Sequence, residues 1–470
     1  MRHFFILLFF IFACVLGVQA QITEDSIFTF EEFYDLLINN HPVAKQARLL
    51  NENAEQELRM ARGNFDPKLS ADYTQKQYDK KTYYDILNSG LKIPFWWGDL
   101  KAGYKKAEGT FLSPENTLPE TGLVYAGVSV PILQGVLIDE RRATLQKAKI
   151  FQDIAEAEQR KEVNKLVLTA VKQYWEWYFA YQQYLLLTEG YLLADFRYRG
   201  VVSKVLVGDE APIDSVEAKI ILQTRDIELR QAAVQLQNTR LLLSNHLWAT
   251  DETPLEIPEN MKPQDFSEES HDALPAIEFF LDQASNNHPE VLKLRFKLQQ
   301  LNVDERLYKN NFLPSLNIEY NLLNEALAGS NKEITTPQLQ NYTFGLVASF
   351  PLFLRKERSK LQINKIKQNQ TELDLLQTTR EINNNIAISY NELQNIRNLI
   401  RLQAQMVENY TRLRDGEQQK FDNGESSLFL VNSREAKLIE SQVKLEDLKQ
   451  KYEKIRATLY YQAGMNEWQN

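Results

Sequence analysis

Ser129-Val130-Pro131-Ile132-Leu133 returns downstream as Ser349-Phe350-Pro351-Leu352-Phe353, and this pair decides how the chain is built. Three further segments recur in the same order. Asn40-His41-Pro42-Val43 returns as Asn287-His288-Pro289-Glu290. Phe65-Asp66-Pro67-Lys68-Leu69 returns as Phe312-Leu313-Pro314-Ser315-Leu316, and Ser215-Val216-Glu217-Ala218-Lys219 as Ser433-Arg434-Glu435-Ala436-Lys437. Chance gives one such match but hardly four in order, so the chain is an internal duplication. The first repeat spans 21–248 and the second 276–470. Between them, 249–275 holds Pro254, Pro258, Pro263 and Pro275 among many Asp and Glu residues, and reads as an irregular acidic linker with a solvated surface.

Working outward from the proline motifs, each repeat has the same plan. A short helix comes first, with Thr29 and Glu32 in a capping-box pattern. It stops near Asn40, and Pro42 opens a second helix that runs to about Gly63. Two alternating segments follow, at about 69–78 and 122–131 in the first repeat and 315–323 and 342–351 in the second. Leu69, Ala71 and Tyr73 oppose Ser70, Asp72 and Thr74; Leu316, Ile318, Tyr320 and Leu322 oppose Asn317, Glu319 and Asn321. Val124, Ala126, Val128 and Val130 share a face, as do Tyr342, Phe344, Leu346, Ala348 and Phe350. Period-two patterning of this kind fits strands with one apolar and one polar face, in a half-buried sheet or in a barrel wall with lipid outside and water inside. Polar connections, about Asp79 to Gly122 and Asn324 to Asn341, are expected as the loops of a barrel. Four strands cannot close a barrel. Two chains would give eight, filled by side chains, and three would give twelve, the smallest assembly with an aqueous lumen. A homotrimer is therefore expected, with Asp72 and Glu319 facing the lumen and Pro131 and Pro351 at the strand-to-helix junctions.

Beyond the strands the chain turns helical. No proline occurs between Pro131 and Pro212 or after Pro351. From about Asp139 to Val207 one helix of roughly 100 Å is expected at 1.5 Å per residue. Its seam is Val163, Val167, Ala170, Tyr174, Trp177, Tyr181, Tyr184 and Tyr191; that of the second repeat is Leu375, Ile382, Ile386, Leu393, Ile396, Ile400, Val407 and Tyr410. The returning helix carries two heptad series, Ile220-Ile227-Val234-Leu241 and Leu222-Leu229-Leu236-Leu243. Two positions are about 200° around a helix, so these stripes are nearly opposite. A helix with neighbours on both sides belongs to a ring of helices with a hollow axis or to a solid bundle. The turns joining the long helices are Val207-Gly208-Asp209-Glu210 and Asn423-Gly424-Glu425-Ser426, each a glycine stop followed by acid suited to the next helix start.

The N-terminus reads as a signal peptide over 1–20: Arg2, an apolar run from Phe4 to Leu16, then Val18-Gln19-Ala20. The run is too short to span a bilayer, and no later segment reaches 18 apolar residues. Cys14, the single cysteine, lies inside that run, which excludes disulfides and thiolate metal sites from the mature chain. A lipoprotein with Cys14 acylated is the alternative, and Phe12 is bulky for it. Without Arg2 the chain is one unit more negative than the −9 of the whole sequence, and it has no basic stripe, which argues against nucleic acid. No nucleotide loop, zinc spacing or triad-like set occurs, so neither enzyme chemistry, cofactor nor metal is expected. His41 and His288 read as structural.

Taken together, these motifs resemble the TolC family of outer-membrane efflux proteins over nearly the whole mature chain. The resemblance implies a mainly α fold with a small transmembrane β-barrel: duplicated long helical hairpins forming a periplasmic helical barrel, plus four strands per chain, twelve in a trimer. It implies an outer-membrane channel subunit of a tripartite efflux or type I secretion system, with an adaptor protein and an inner-membrane pump as partners, outer-membrane lipid around the strands, and most of the mass in the periplasm. A periplasmic coiled-coil adaptor or scaffold is the alternative. The glycine turns would be the periplasmic tip, contacted by the adaptor through Gly208, Asp209, Glu210, Asp214, Phe421, Asp422, Gly424 and Glu425. Asp214 matches an acidic tip position of the family. Leu430 stands at its equivalent in the second repeat, Ser433 stands where another family acid occurs, and Phe421 replaces a tyrosine hydroxyl. The family's acidic ring is thus not carried over intact.

Overall fold

A computed structural model describes residues 27–266, 274–325 and 340–465. The expected leader, with Cys14, lies outside the described residues, as does most of the connection after Asn324.

The N-terminal segment forms a short strand β1 (Ile27–Phe28), then helices α1 (Phe30–Asn40) and α2 (Pro42–Arg62). The capping box is present: Thr29 Oγ1 accepts from Glu32 N, and Thr29 N donates to the Glu32 carboxylate, both at 3.2 Å. At the next boundary His41 is the cap. Its Nδ1 accepts from Val43 N at 3.1 Å, ahead of Pro42 at the first helical position. The second repeat copies the device. Helices α5 (Ile277–Asn287) and α6 (Pro289–Asn310) meet at His288, whose Nδ1 accepts from Glu290 N at 3.2 Å.

The body is four helices: α3 (Glu140–Val207), α4 (Pro212–Ser244), α7 (Arg355–Asp422) and α8 (Leu428–Gln462). The two 68-residue helices are each about 100 Å long. α2 and α4 pack along α3; α6 and α8 fit between α3 and α7. The chain is thus a strip of four helical columns. Its seams hold the expected residues: Val167, Ala170, Tyr174 and Trp177 are buried on α3, and Ile382, Ile386, Leu393, Ile396 and Ile400 on α7.

The acidic linker is more ordered than its composition indicates. Its strand β6 (Lys262–Pro263) pairs in parallel with β1, and Ile257 and Met261 are buried against α1, α3 and α4. Tyr174 holds this girdle: its hydroxyl donates to Phe28 O at 2.7 Å and accepts from Gln264 N at 3.0 Å. The apolar residues spaced between the prolines carry this packing, and the acids among the described residues stay outside.

Buried histidines, one of them the His288 cap, make stability depend on pH. Burial, then the neighbouring His41 ring 5.6 Å away, pushes His246 down to about 4; burial likewise pushes His288 to about 4, with Glu290 opposing and Lys161 reinforcing. Both lie below the ordinary 6.5, so the folded state holds these rings neutral while the unfolded chain protonates them. Their contribution is complete above pH 6.5 and is lost as pH falls from there toward 4. Between pH 7 and pH 5 the expected loss is about 2 kcal/mol per ring. Denaturant midpoints measured across this range check it. His288→Asn, which caps without titrating, is expected to flatten the slope.

Candidate functional site: the strand wall and the tip turns

At one end of the helical strip the chain forms a six-stranded antiparallel sheet: β2 (Lys68–Tyr78), β3 (Lys81–Phe95), β4 (Gly98–Glu108), β5 (Leu123–Pro131), β7 (Ser315–Glu325) and β8 (Tyr342–Ser349), in that order. Strands occupy all four expected places. The expected count of four per chain is corrected to six, because the Asp79–Gly122 connection is not a loop but holds β3 and β4. The sequence hid them in their polar face: Asn88, Gly90, Lys92, Lys101, Gly103 and Lys105 look like loop residues until Leu87, Leu91, Ile93, Leu100 and Ala102 are seen to alternate with them.

Register shows that the alternation is continuous across the sheet. Leu69 pairs with Leu91, Leu91 with Ala102, Ala102 with Ala126, Ala126 with Leu322 and Leu322 with Tyr342. The neighbouring row runs Ala71, Ser89, Tyr104, Val124 and Asn324, the next outward Tyr73, Leu87 and Lys106, and on the other side one runs Ile93, Leu100, Val128, Tyr320 and Phe344. This face is apolar through its middle and charged only toward the far rim, at Asp85, Lys106 and Glu108. It is also exposed: Leu69 is 81% accessible and Phe344 60%. The opposite face carries Asp72, Lys92, Lys101, Lys105, Asn317, Glu319, Asn321 and Thr343, with Tyr125 and Val347 among few apolar exceptions. A wide exposed apolar face backed by a polar one is the pattern of a membrane wall with lipid on one side and water on the other. No described helix is long and apolar enough to cross a membrane.

Asp72 and Glu319 both sit on the polar face. Glu319 is not a free acid, since Lys101 Nζ lies 2.8 Å from it and Asn321 Nδ2 donates to it at 2.9 Å. Asp99 is likewise held by Lys92 at 2.9 Å and by Arg141 at 2.9 Å. The polar face therefore mixes both signs, and three lysines contributed by β3 and β4 were absent from the sequence-based expectation of an acidic lining. Beyond Pro131 and Pro351 the chain leaves the sheet for the long helices. Leu137, Leu352 and Phe353 stand exposed in these junctions.

The tip lies at the other end of the helices. Gly208 and Gly424 have φ of 84° and 77°, a conformation that favours glycine. Asp209 N donates to Lys204 O at 2.9 Å and Glu425 N to Lys420 O at 2.8 Å, which closes both helix ends. The expected tip residues serve local structure here. Asp214 accepts from Ala211 N at 3.2 Å and caps α4, Glu210 pairs with Lys204 at 3.1 Å, and Asp422 accepts from Gln418 at 2.8 Å. Phe421 packs with Val201, Ala218 and Leu428 beneath the Lys204 ammonium. Exposed Leu206, Val207, Ile213 and Phe429 crown the turns. Sequence reasoning missed Arg197, whose guanidinium reaches Glu435 on α8, together with Asn432 at 3.2 Å and Gln418 on α7 at 3.4 Å. The signal was Glu435 within the repeated Glu-Ala-Lys motif.

Long paired helical hairpins under a curled strand wall are also the fold of solved outer-membrane channels, to which the chain is similar. Residues 280–465 match the family model described as outer membrane efflux protein. A search of curated proteins returned no match. Among solved structures, the chain is similar to the Campylobacter jejuni CmeC outer membrane channel at 16% identity, covering 92% of this chain and 85% of that one, with a TM-score of 0.63. It is similar to the Vibrio cholerae outer membrane protein VceC at 14% identity over 92% and 95% of the two chains, with a TM-score of 0.63. For the open state of the Neisseria gonorrhoeae MtrE outer membrane channel the identity is 14%, the coverage 93% and 88%, and the TM-score 0.66.

The second repeat is matched directly by this family model, and the first is built on the same plan.

Proposed function

We propose that the chain is the outer-membrane subunit of a tripartite efflux or type I secretion assembly, and that it works as a homotrimer conducting solutes passively from periplasm or pump to the exterior. The observation that carries this reading is a pair of matching free edges. β2 and β8 are the outermost strands, and with six antiparallel strands per chain they run in opposite directions. One copy's β8 can therefore pair with the next copy's β2, and head-to-tail pairing closes a barrel without loose edges. The helices agree: on α4 the Leu236 and Leu243 stripe is buried, while Ile220, Ile227, Val234 and Leu241 are each more than half exposed and face away from the chain's own helices. The number three follows from the family resemblance, because six strands per chain do not by themselves require it.

Native mass spectrometry and planar-bilayer recording test the proposal together. A trimer with ohmic conductance that needs no nucleotide is expected, whereas a monomer without conductance overturns it. Ile227→Asp with Val234→Asp, which puts charge into the exposed stripe, is expected to shift trimer to monomer by at least tenfold. The tip turns, with Asp209, Glu210, Phe421 and Glu425, are proposed as adaptor contacts. Photo-crosslinkers at Asp209 and Glu425 should capture one periplasmic protein in cells; capture that is unchanged when both turns are replaced by glycine-serine would remove that role.

A further inference from the structure

We infer that the β3–β4 hairpin is part of the membrane wall, so that the closed trimer has an eighteen-stranded barrel with a bore wide enough for bulky cargo. The inference rests on the trimeric reading above. Three observations on the hairpin carry it.

First, its faces are sorted as a wall requires. Leu87, Leu91, Ile93, Leu100 and Ala102 lie on the apolar face that runs through all six strands. Of the hydroxyls on this face, that of Ser89 donates to Tyr104 O at 3.4 Å and that of Tyr104 to Thr121 O at 3.0 Å. A hairpin standing clear of the membrane has no need of a continuous apolar face.

Second, the hairpin is built into its neighbours. Tyr125 of β5 lies flat across the polar face of the paired Gly90 and Gly103: a Cβ on either glycine would come within 2.6 Å of the phenol. Lys105 caps the same ring from 5.3 Å. Glycines that admit a neighbour's aromatic ring are a device for curving a sheet while keeping it filled. The ring hugs the wall instead of entering the lumen.

Third, the hairpin's turn is bolted to the helices. Trp96 stacks on Phe65 with centroids 6.3 Å apart, Arg142 lies over Trp96, and Arg141 binds Asp99 at 2.9 Å. Arg141 and Arg142 open α3, so the turn sits at the same end as the strand-to-helix junctions. Tryptophan at that level suits the membrane–water interface.

Barrel width grows nearly in proportion to strand number. With strands about 4.8 Å apart and tilted by about 40°, eighteen give roughly 35 Å between backbones, where twelve give roughly 24 Å. After side chains, the open cross-section is about threefold larger. The matching cargo class is polymers or bulky amphiphiles as well as small ions.

The test uses the full chain with Cys14→Ser, which leaves no cysteine. Single cysteines are placed along the hairpin at Leu87, Asn88, Leu91, Lys92, Lys101 and Ala102, and treated in planar bilayers with a charged, membrane-impermeant thiol reagent. Asn88→Cys, Lys92→Cys and Lys101→Cys are expected to react and step the conductance, whereas Leu87→Cys, Leu91→Cys and Ala102→Cys stay unreactive. Exclusion of graded polyethylene glycols from the wild-type pore measures the bore, and native mass spectrometry counts the chains. Reaction at both sets of positions in a confirmed trimer, or a polymer cut-off at the width of a twelve-stranded barrel, overturns the inference. A particle that is not a trimer overturns the stoichiometry of the earlier reading, and with it the count of eighteen.

Discussion

Val128→Arg combined with Leu346→Arg is expected to remove the protein from the outer membrane, while Ser129→Arg combined with Thr343→Arg leaves it there. The two pairs lie on the same strands, β5 and β8, and differ only in the face they occupy. Val128 and Leu346 lie on the apolar face, in rows with Tyr320 and Ile318. A guanidinium on a lipid-facing strand costs about 2–4 kcal/mol near the bilayer midplane. Two per chain, repeated in every copy, cost more than the marginal stability of a typical fold. Ser129 and Thr343 point to the polar side, where an added Arg at position 129 meets Glu319 across the β5–β7 pair. Fractionation of outer membranes, with heat-modifiable migration as the sign of a folded barrel, reads out both. Equal loss from the two double variants would mean that the sheet is not a membrane wall.

That contrast also marks how far the sequence could be read. Duplication, helix lengths and seams were legible because each leaves a periodic record: Tyr174 and Trp177, or Ile386 and Leu393, recur at helical spacing and are buried. The strands at β5, β7 and β8 were legible for the same reason, with clean two-residue alternation. β3 and β4 were not, because a wall between lipid and water spends half its residues on the water side. Asn88, Lys92 and Lys101 there match the composition of a loop. The cap at His41 was hidden by chemistry rather than by pattern. Serine, threonine and aspartate advertise helix starts, whereas a neutral imidazole does the same work through Nδ1 without announcing it. At the tip the glycines were legible, but the partners of the acids were not. Whether Asp214 lines a pore or caps its own helix depends on a rotamer, and here it accepts from Ala211 N.

The buried pair near the tip yields the second large effect. Arg197 on α3 is bound to Glu435 on α8 with side-chain accessibilities of 15% and 6%, and its guanidinium also reaches Gln418 on α7. One residue therefore ties three helices together just behind the turns. Glu435→Ala leaves a guanidinium in a dry site with only two amide oxygens, and breaking a buried pair in this way costs about 3–5 kcal/mol. The loss falls on the end of helices that extend far from the main aromatic core, so it appears as local opening rather than global unfolding. Limited proteolysis at the Asn423-Gly424 turn should accelerate by at least a hundredfold, while the melting of the helical body around Trp177 shifts little. Arg197→Met with Glu435→Leu removes both charges at similar volume and is expected to restore protection to the wild-type level or beyond. If the double variant stays as labile as Glu435→Ala, the pair itself holds the tip shut against its neighbours, and the charges rather than the packing set the stability of that end. If Glu435→Ala is itself as resistant as the wild type, the Arg197 contacts to Gln418 and Asn432 suffice to hold the three helices and the ion pair is dispensable.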